Sequence, residues 1–298
     1  MFRDINKVLV VVNPYSGKKK IKKYLLDIIN NLCMAGCQVN IHTTLHKGDA
    51  LTFTRDNIPE HDLVICCGGD GTLNEVVNGM MLSNKRLPLG YIPLGTTNDF
   101  AKSLKLPHNV NKAVKNIAEG EPRPFDLGSF NDKYFSYIAS FGAFTKTSYS
   151  TPQKLKNKFG HSAYIIEGVK ELSDIHPFKV KIKYDGNIIE DEFILGAISN
   201  SASIAGIFKL NKNIVDFNDG KFEVILVKDP KSLYGLGKLF KDFMSQKYTN
   251  DNITILHARN IEIISENPIP WTLDGEFGGE TKVANIKNLH SVLSLITK

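Results

Sequence analysis

The sequence predicts an α/β domain with a parallel sheet covered by helices on both faces, followed by an antiparallel β-sandwich domain. Three observations predict it. Over roughly the first 120 residues, strand-like apolar runs alternate with segments of helical period, the pattern of a parallel sheet with crossover helices. After Pro122-Arg123-Pro124 the pattern changes to short strands separated by turn signals. The chain has 298 residues, and single hydrophobic cores stop growing at about 250–300 residues. The expected division is residues 1–125, residues 126–288, and a C-terminal segment, residues 289–298, whose apolar run Val292 to Ile296 returns to the first domain.

The elements follow from periodicity. Lys7 to Val12 carries a continuous apolar run from Val8, which suits a strand buried on both faces. Ile21, Leu25, Ile28, Ile29 and Leu32 recur at helical spacing, and Gly36 ends that helix. Val39 to Thr43 is the second strand, Asp49 to Arg55 a helix, and Asp62 to Cys67 the third strand. Leu73 to Leu82 is a helix, Leu89 to Ile92 the fourth strand, and Val110 to Ala118 a helix. In the second half, Phe178 to Tyr184 and Ile188 to Leu195 flank Asp185-Gly186, a strong hairpin signal. Further strands are Phe222 to Val227, Ile253 to His257, Ile261 to Ser265 and Lys282 to Ile286, with helical insertions near Ser162 to Leu172 and Leu233 to Phe243.

Composition narrows the class. Hydrophobic residues make up 42% and charged residues 23%, which excludes a disordered chain. The net charge of +6 suits an anionic partner: nucleotide, nucleic acid or an acidic membrane surface. The first residues do not read as a signal peptide, and no run approaches the roughly 20 apolar residues of a membrane span. A soluble protein with peripheral membrane contact at most is the expectation. The four cysteines, Cys33, Cys37, Cys66 and Cys67, have no zinc-site spacing and read as reduced thiols in the cytosol.

The strongest motif is Gly68-Gly69-Asp70-Gly71-Thr72-Leu73-Asn74-Glu75, between a buried strand and a helix. Paired glycines let a backbone approach a ligand, and helix-start N–H groups attract phosphate. Asp70 cannot itself attract phosphate; a carboxylate there reads as a Mg²⁺ partner acting through water. Asn13-Pro14-Tyr15-Ser16-Gly17-Lys18 and Pro93-Leu94-Gly95-Thr96-Thr97-Asn98-Asp99-Phe100 follow the first and fourth strands in the same way. Three ligand-type loops therefore leave one edge of one sheet, where α/β sheets bind ligands.

These segments, with Asp274-Gly275-Glu276 near the C-terminus, resemble the diacylglycerol kinase catalytic-domain family, and most closely its bacterial soluble lipid kinases of the DgkB and YegS type. The resemblance runs through nearly the whole chain, supported by Phe125-Asp126-Leu127-Gly128, Ser140 to Ala143, Lys158 to Tyr164 and Asn218 to Phe222. It implies a phosphofructokinase-like first domain that binds ATP, a β-rich second domain for a lipid substrate, and phosphoryl transfer to a lipid hydroxyl. Diacylglycerol is the implied acceptor, giving phosphatidic acid; sphingoid bases, ceramide or other glycerolipids stay open.

Carried over by motif, nucleotide contacts fall to Asn13, Pro14, Ser16, Gly17, Gly68, Gly69, Asp70, Gly71, Thr72, Leu73, Asn74, Glu75 and Thr97, and to Thr43 or Thr44. Glu276 corresponds to the base, and Asp70, Asp126 and Asp99 to carboxylates acting with it and with Mg²⁺. A second, structural Mg²⁺ site would use the Asp219 carboxylate and the carbonyls of Asp216 and Lys221, although Asn218 stands where many members carry Asp. Each acid also has a plain reading: Asp274-Gly275-Glu276 a tight turn with an exposed acid, Asp126 a solvated acid at a strand start, Asp99 a helix cap. The lysine clusters at residues 18–23 and 154–158 suggest peripheral docking on the inner face of the membrane; without interleaved aromatics, no nucleic-acid partner is expected. Family members often dimerise, so a homodimer is a further expectation. NAD kinase, which shares the Gly-Gly-Asp-Gly-Thr loop, is the enzymatic rival, and a catalytically silent nucleotide-binding regulator is the non-enzymatic one.

Overall fold

A computed structural model describes residues 5–19, 21–142, 176–200, 203–204, 208–209, 218–232, 234–235, 238–239, 242, 245 and 251–298. The chain divides into two compact units. One comprises Met1–Leu127, Lys133–Ser136 and Leu289–Lys298, the other Gly128–Asp132 and Tyr137–Asn288.

The first unit is built on four parallel strands, β1 (Lys7–Val12), β2 (Gln38–Thr43), β3 (Leu63–Gly68) and β4 (Pro88–Pro93), in the order β2-β1-β3-β4. The C-terminal part of β15 (Glu276–Thr297) extends this sheet, with Ser294 and Leu295 parallel to Pro88 and Leu89. Val8, Val10 and Val12 pack with Ile65, Cys67 and Ile92 against Ile21, Ile28 and Leu32 of α1 (Ile21–Met34) and Val110, Ala113 and Ile117 of α5 (Val110–Glu119). Leu9 and Val11 point to the opposite face and are also fully buried, beneath α2 (Asp49–Asn57) and α3 (Asp70–Leu82). Burial on both faces explains why β1 reads as a continuous apolar run, each side chain contributing about 1.5–3 kcal/mol.

Several boundaries differ from the sequence reading. Helix α3 begins at Asp70, three residues before Leu73, because Gly69 is an extended cap and Leu73 N–H donates to Gly69 O to close the first turn. Pro122-Arg123-Pro124 does not interrupt structure: strand β5 runs Glu121–Phe130, its prolines confined to the strand's first residues where a missing N–H is tolerated. Asp126 is accordingly inside a strand and fully buried, not a solvated acid at its start. Helix α4 (Asp99–Ser103) has Asn98 at its cap, φ +50°, so Asp99 is its first helical residue rather than its cap.

The second unit is antiparallel. Strand β9 (Asn187–Ser199) pairs with β8 (Phe178–Tyr184) along its first half and with β7 (Ile138–Gly142) along its second. Strand β14 (Asn260–Leu273) divides in the same way, Ile261–Ser265 facing β8 and Trp271–Leu273 facing β7. The four strands thus close on one another. Strands β12 (Phe222–Lys228) and β13 (Ile253–Ala258) continue outward from β9. The run Ile261 to Ser265 does not stop before Pro268 and Pro270; a register shift between Ile264 and Ile269 absorbs Pro268, Pro270 stands in the ladder opposite Glu280, and β14 continues. The core gathers aromatic rings: Trp271 lies 4.9 Å from Phe130 and 5.0 Å from Phe141. A Cβ on Gly196 would stand 2.1 Å from the Phe141 ring, which fixes glycine there. Residues 162–172 lie outside the described residues; in the second helical insertion the described residues Tyr234, Gly235, Lys238, Leu239 and Asp242 are helical.

Candidate active site

In the first unit the carboxyl ends of β1, β3 and β4 interlock through their loops. Asn13 N–H donates to Cys67 O, and Leu94 N–H to Gly68 O. The Asn13 side chain is held at both ends: Nδ2 donates to Thr72 Oγ1 at 3.0 Å, and Oδ1 accepts from Tyr15 N. Gly17, with φ +54°, lies so close to Leu94 that a Cβ would come within 1.8 Å of its carbonyl oxygen. Gly69 and Gly95 are in backbone contact: a Cβ on Gly95 would stand 2.7 Å from Gly69 Cα and 2.6 Å from Asn98 Oδ1. Thr44 N–H donates to Val12 O, bringing the β2 end to the same edge; Thr44 is buried and Thr43 exposed.

Asp70 does structural work the sequence did not disclose. Its Oδ2 accepts from Asp99 N at 3.1 Å and its Oδ1 from Phe100 N at 3.3 Å, so the motif's carboxylate caps α4 and ties the Gly68 loop to the Thr96–Asp99 loop. Tyr91, buried under the same loop, donates its hydroxyl to Gly68 O at 3.3 Å. Burial, with the Asp70 carboxylate nearby, pushes the Tyr91 hydroxyl far above its ordinary value, so it stays a donor. Burial likewise raises the Cys67 thiol to about 12, keeping it neutral beneath the loop. All four cysteines are free thiols.

Not every sequence candidate faces that edge with its side chain. Leu73 is buried in the core. Glu75 accepts from Gly48 N at 2.8 Å and Ala50 N at 3.2 Å, capping α2. Asn74 Nδ2 donates to Tyr134 O. Gly71 and Thr72 belong to the first turn of α3, where N–H groups precede the first intrahelical bond. Pro14 and Thr97 lie in the loops themselves, Thr97 exposed, and Ser16 opens a short 3₁₀ helix, Ser16–Lys19. Asp126 accepts from Ser291 N at 2.8 Å and pairs with His290 Nδ1 at 2.9 Å. His290 and Ser291 were invisible to motif reading because 164 positions separate His290 from its partner.

In the second unit Leu273 to Glu276 is a hairpin turn with φ +50° at Asp274 and +81° at Gly275, the left-handed pair that Asp-Gly favours. Asp274 is 3% exposed, and its Oδ1 accepts from Tyr137 N and Ile138 N at 2.9 and 3.1 Å. The buried acid of this motif is therefore the turn-builder; Glu276 is partly exposed and Phe277 beside it is 59% exposed. Asp219 Oδ1 accepts from Lys221 N, and Lys221 O accepts from Asn288 Nδ2; Asp216 lies outside the described residues, as do the side chains of Lys18, Lys19 and Lys20 and all of residues 154–158. Among the described residues no three His, Cys, Asp or Glu side chains cluster as a metal cage, and no helix is long and apolar enough to cross a membrane. The oxygen donors of Asp70 and Asp99 are nevertheless the type Mg²⁺ takes while keeping several waters.

A parallel sheet whose carboxyl-end loops converge on the glycine-rich start of a helix defines a phosphate-handling α/β unit of the kinase class. Residues 7–130 match the family model described as diacylglycerol kinase catalytic domain, and residues 141–296 that described as YegS C-terminal NAD kinase beta sandwich-like domain. The chain belongs to the diacylglycerol kinase catalytic-domain family. It is 34% identical over 272 residues to a diacylglycerol kinase of Bacillus subtilis (strain 168), covering 91% of this chain and 89% of that one. It is 36% identical over 291 residues to a diacylglycerol kinase of Staphylococcus epidermidis (strain ATCC 12228 / FDA PCI 1200), covering 97% and 91%. The crystal structure of a diacylglycerol kinase from Bacillus anthracis str. Sterne superposes with a TM-score of 0.77 at 29% identity, over 99% of this chain and 98% of that one. The chain is thus an ATP-using kinase with an alcohol acceptor.

Proposed function

We propose that the protein transfers the γ-phosphoryl group of ATP to the hydroxyl of diacylglycerol, giving phosphatidic acid. The observation that carries this reading is the interlocked edge of the first unit, where Gly17, Gly69 and Gly95 keep backbone bare around the start of α3. The names of the relatives support diacylglycerol as the acceptor, and exposed Phe277 beside Glu276 suits an apolar substrate.

In this reading the N–H groups of Gly71 and Thr72, with the helix dipole, receive the triphosphate, and Asn13, Ser16, Thr97 and a threonine after β2 complete the nucleotide contacts. Asp70 holds two loops in register. Glu276 accepts the proton of the lipid hydroxyl as its oxygen bonds to the γ-phosphorus, while the bond to the β–γ bridging oxygen breaks and ADP leaves. Asp126, held by His290 and Ser291, acts in support of that base. Mg²⁺ near Asp70 and Asp99 supplies neutralising charge to the phosphates when bound. A structural Mg²⁺ at Asp216, Asp219 and Lys221, a homodimer, and a cytoplasmic enzyme docking transiently on anionic lipid belong to the same reading; the net charge of +6 supports the docking.

Labelled ATP offered with diacylglycerol, a sphingoid base and NAD is the test. Labelled phosphatidic acid is the expected product. The description of the C-terminal family model keeps NAD kinase as the second reading, and phosphorylation of NAD with no labelled lipid would overturn the first. Flotation with vesicles of rising anionic content checks the docking, and sedimentation the dimer.

A further inference from the structure

We propose that Tyr137 is a positioning residue for Glu276, fixing from within the second unit the turn that presents this carboxylate. The proposal rests on the reading of Glu276 as base.

Three strands of that unit meet at one peptide group. Strand β7 lies between β9 and β14, with Ile138 opposite Ser199 and Ala139 opposite both Ile198 and Leu273. Just before β7 begins, the Tyr137 backbone binds the ends of both neighbours. Its N–H donates to Asp274 Oδ1 at 2.9 Å, beyond the end of β14. Its carbonyl oxygen accepts from Asn200 N at 3.0 Å and from Ser199 Oγ at 3.2 Å, at the end of β9. Ile138 strengthens the same junction: its N–H donates to Asp274 Oδ1 at 3.1 Å, and its carbonyl oxygen accepts from Asp274 N at 2.9 Å.

The Tyr137 side chain completes the mount. Its hydroxyl oxygen lies 3.7 Å from the point where a Cβ on Gly275 would stand, so the ring reaches the tip of the turn whose start its own N–H holds. Tyr137, Ser199, Asn200 and Asp274 are 5%, 0%, 1% and 3% exposed. Hydrogen bonds buried this deeply are stronger than exposed ones and rigidify what they join. The left-handed pair Asp274-Gly275 sets the sense of the turn, and Tyr137 sets its tilt against β7 and β9. Glu276 follows directly and is partly exposed, so its backbone is fixed while its carboxylate stays reachable. A base misplaced by about 1 Å loses about 100-fold in rate, which makes that tilt matter.

A cycle of variants with Glu276 tests the assignment, read as transfer of label from ATP to diacylglycerol. Tyr137→Ala should lower kcat about 10- to 100-fold with KM for ATP within about threefold. In a Glu276→Gln background the same change should cost less than about twofold, because it acts through the missing base. Asp274→Ala should follow the same pattern, and Asp274→Asn, which keeps the Oδ1 acceptor, should recover most of kcat. Hydrogen exchange of the full chain should quicken over residues 274–278 in Tyr137→Ala and keep its wild-type rate over residues 178–184. Equal losses in the two backgrounds, equal damage from Asp274→Asn and Asp274→Ala, or a turn whose exchange does not change would each overturn the assignment. Should Tyr137→Ala fail to fold, Tyr137→Phe, which removes only the hydroxyl beside Gly275, and the Asp274 pair decide it in the same cycle. A Glu276→Gln enzyme as fast as wild type, or a wild type that labels no lipid, sinks the reading of the base instead.

Discussion

The two glycine-containing motifs use one device for opposite ends. In Gly68-Gly69-Asp70-Gly71 and in Asp274-Gly275-Glu276 the aspartate accepts two consecutive backbone N–H groups from a distant segment, Asp99 and Phe100 in one case, Tyr137 and Ile138 in the other. The first sits where a strand enters a helix, so what it leaves for a ligand is backbone N–H. The second sits at a hairpin tip with left-handed φ, so what it leaves is the next side chain, Glu276. In both motifs the aspartate builds the loop, and in the proposed mechanism its neighbours do the chemistry.

That comparison can be broken most sharply at Glu276. Glu276→Gln should lower kcat about 10²- to 10⁴-fold while ATP affinity holds, measured by turnover and by titration with AMP-PNP. A comparable loss of ATP binding would mean the residue belongs to nucleotide recognition. Gly17→Ala comes next: a Cβ at 1.8 Å from Leu94 O, with φ +54°, should cost about 1–3 kcal/mol in denaturant midpoint and abolish nucleotide binding. Asp70→Ala should destabilise by about 1–3 kcal/mol by orphaning two N–H groups, and Asp70→Asn by less, read from the same unfolding curves. An equal effect of both would place its charge, not its hydrogen bonds, at the centre.

The smallest effect concerns acid. The N–H of Leu45, followed by His42, holds the Asp49 carboxyl below its ordinary value, with burial opposing. A depressed carboxyl contributes stability that is fully present above the unfolded value of about 3.9 and lost as pH falls through the lower folded value. Asp49→Asn should therefore be less stable than wild type at pH 6 and converge with it near pH 2, followed by thermal melts across that range.

Much of this fold was legible. The parallel strands announce themselves because both faces are buried, which leaves no alternation to misread. The long strands β14 and β15 were read as fragments because Pro268, Pro270 and the glycines after Glu276 mimic turns, and only a shifted register reveals that pairing continues. Motif reading singled out Asp70 and Glu276 and took Asp274 only as part of a tight turn; it gave no part to Asn78, Tyr91 or His290, which bind segments far away in sequence. Asp126 shows the limit plainly: an acid after Pro124-Phe125 reads as surface until its partners at 290 and 291 arrive.

The parallel pairing of Leu295 with Leu89 carries a consequence for biosynthesis. The strand flanking β4 comes from the last ten residues of the chain, Leu289–Lys298. That strand is translated after the whole of the second unit, so β4 stands with one bare flank until residues 289–298 follow. Loss of residues 289–298 would strike the half of the molecule that was made first.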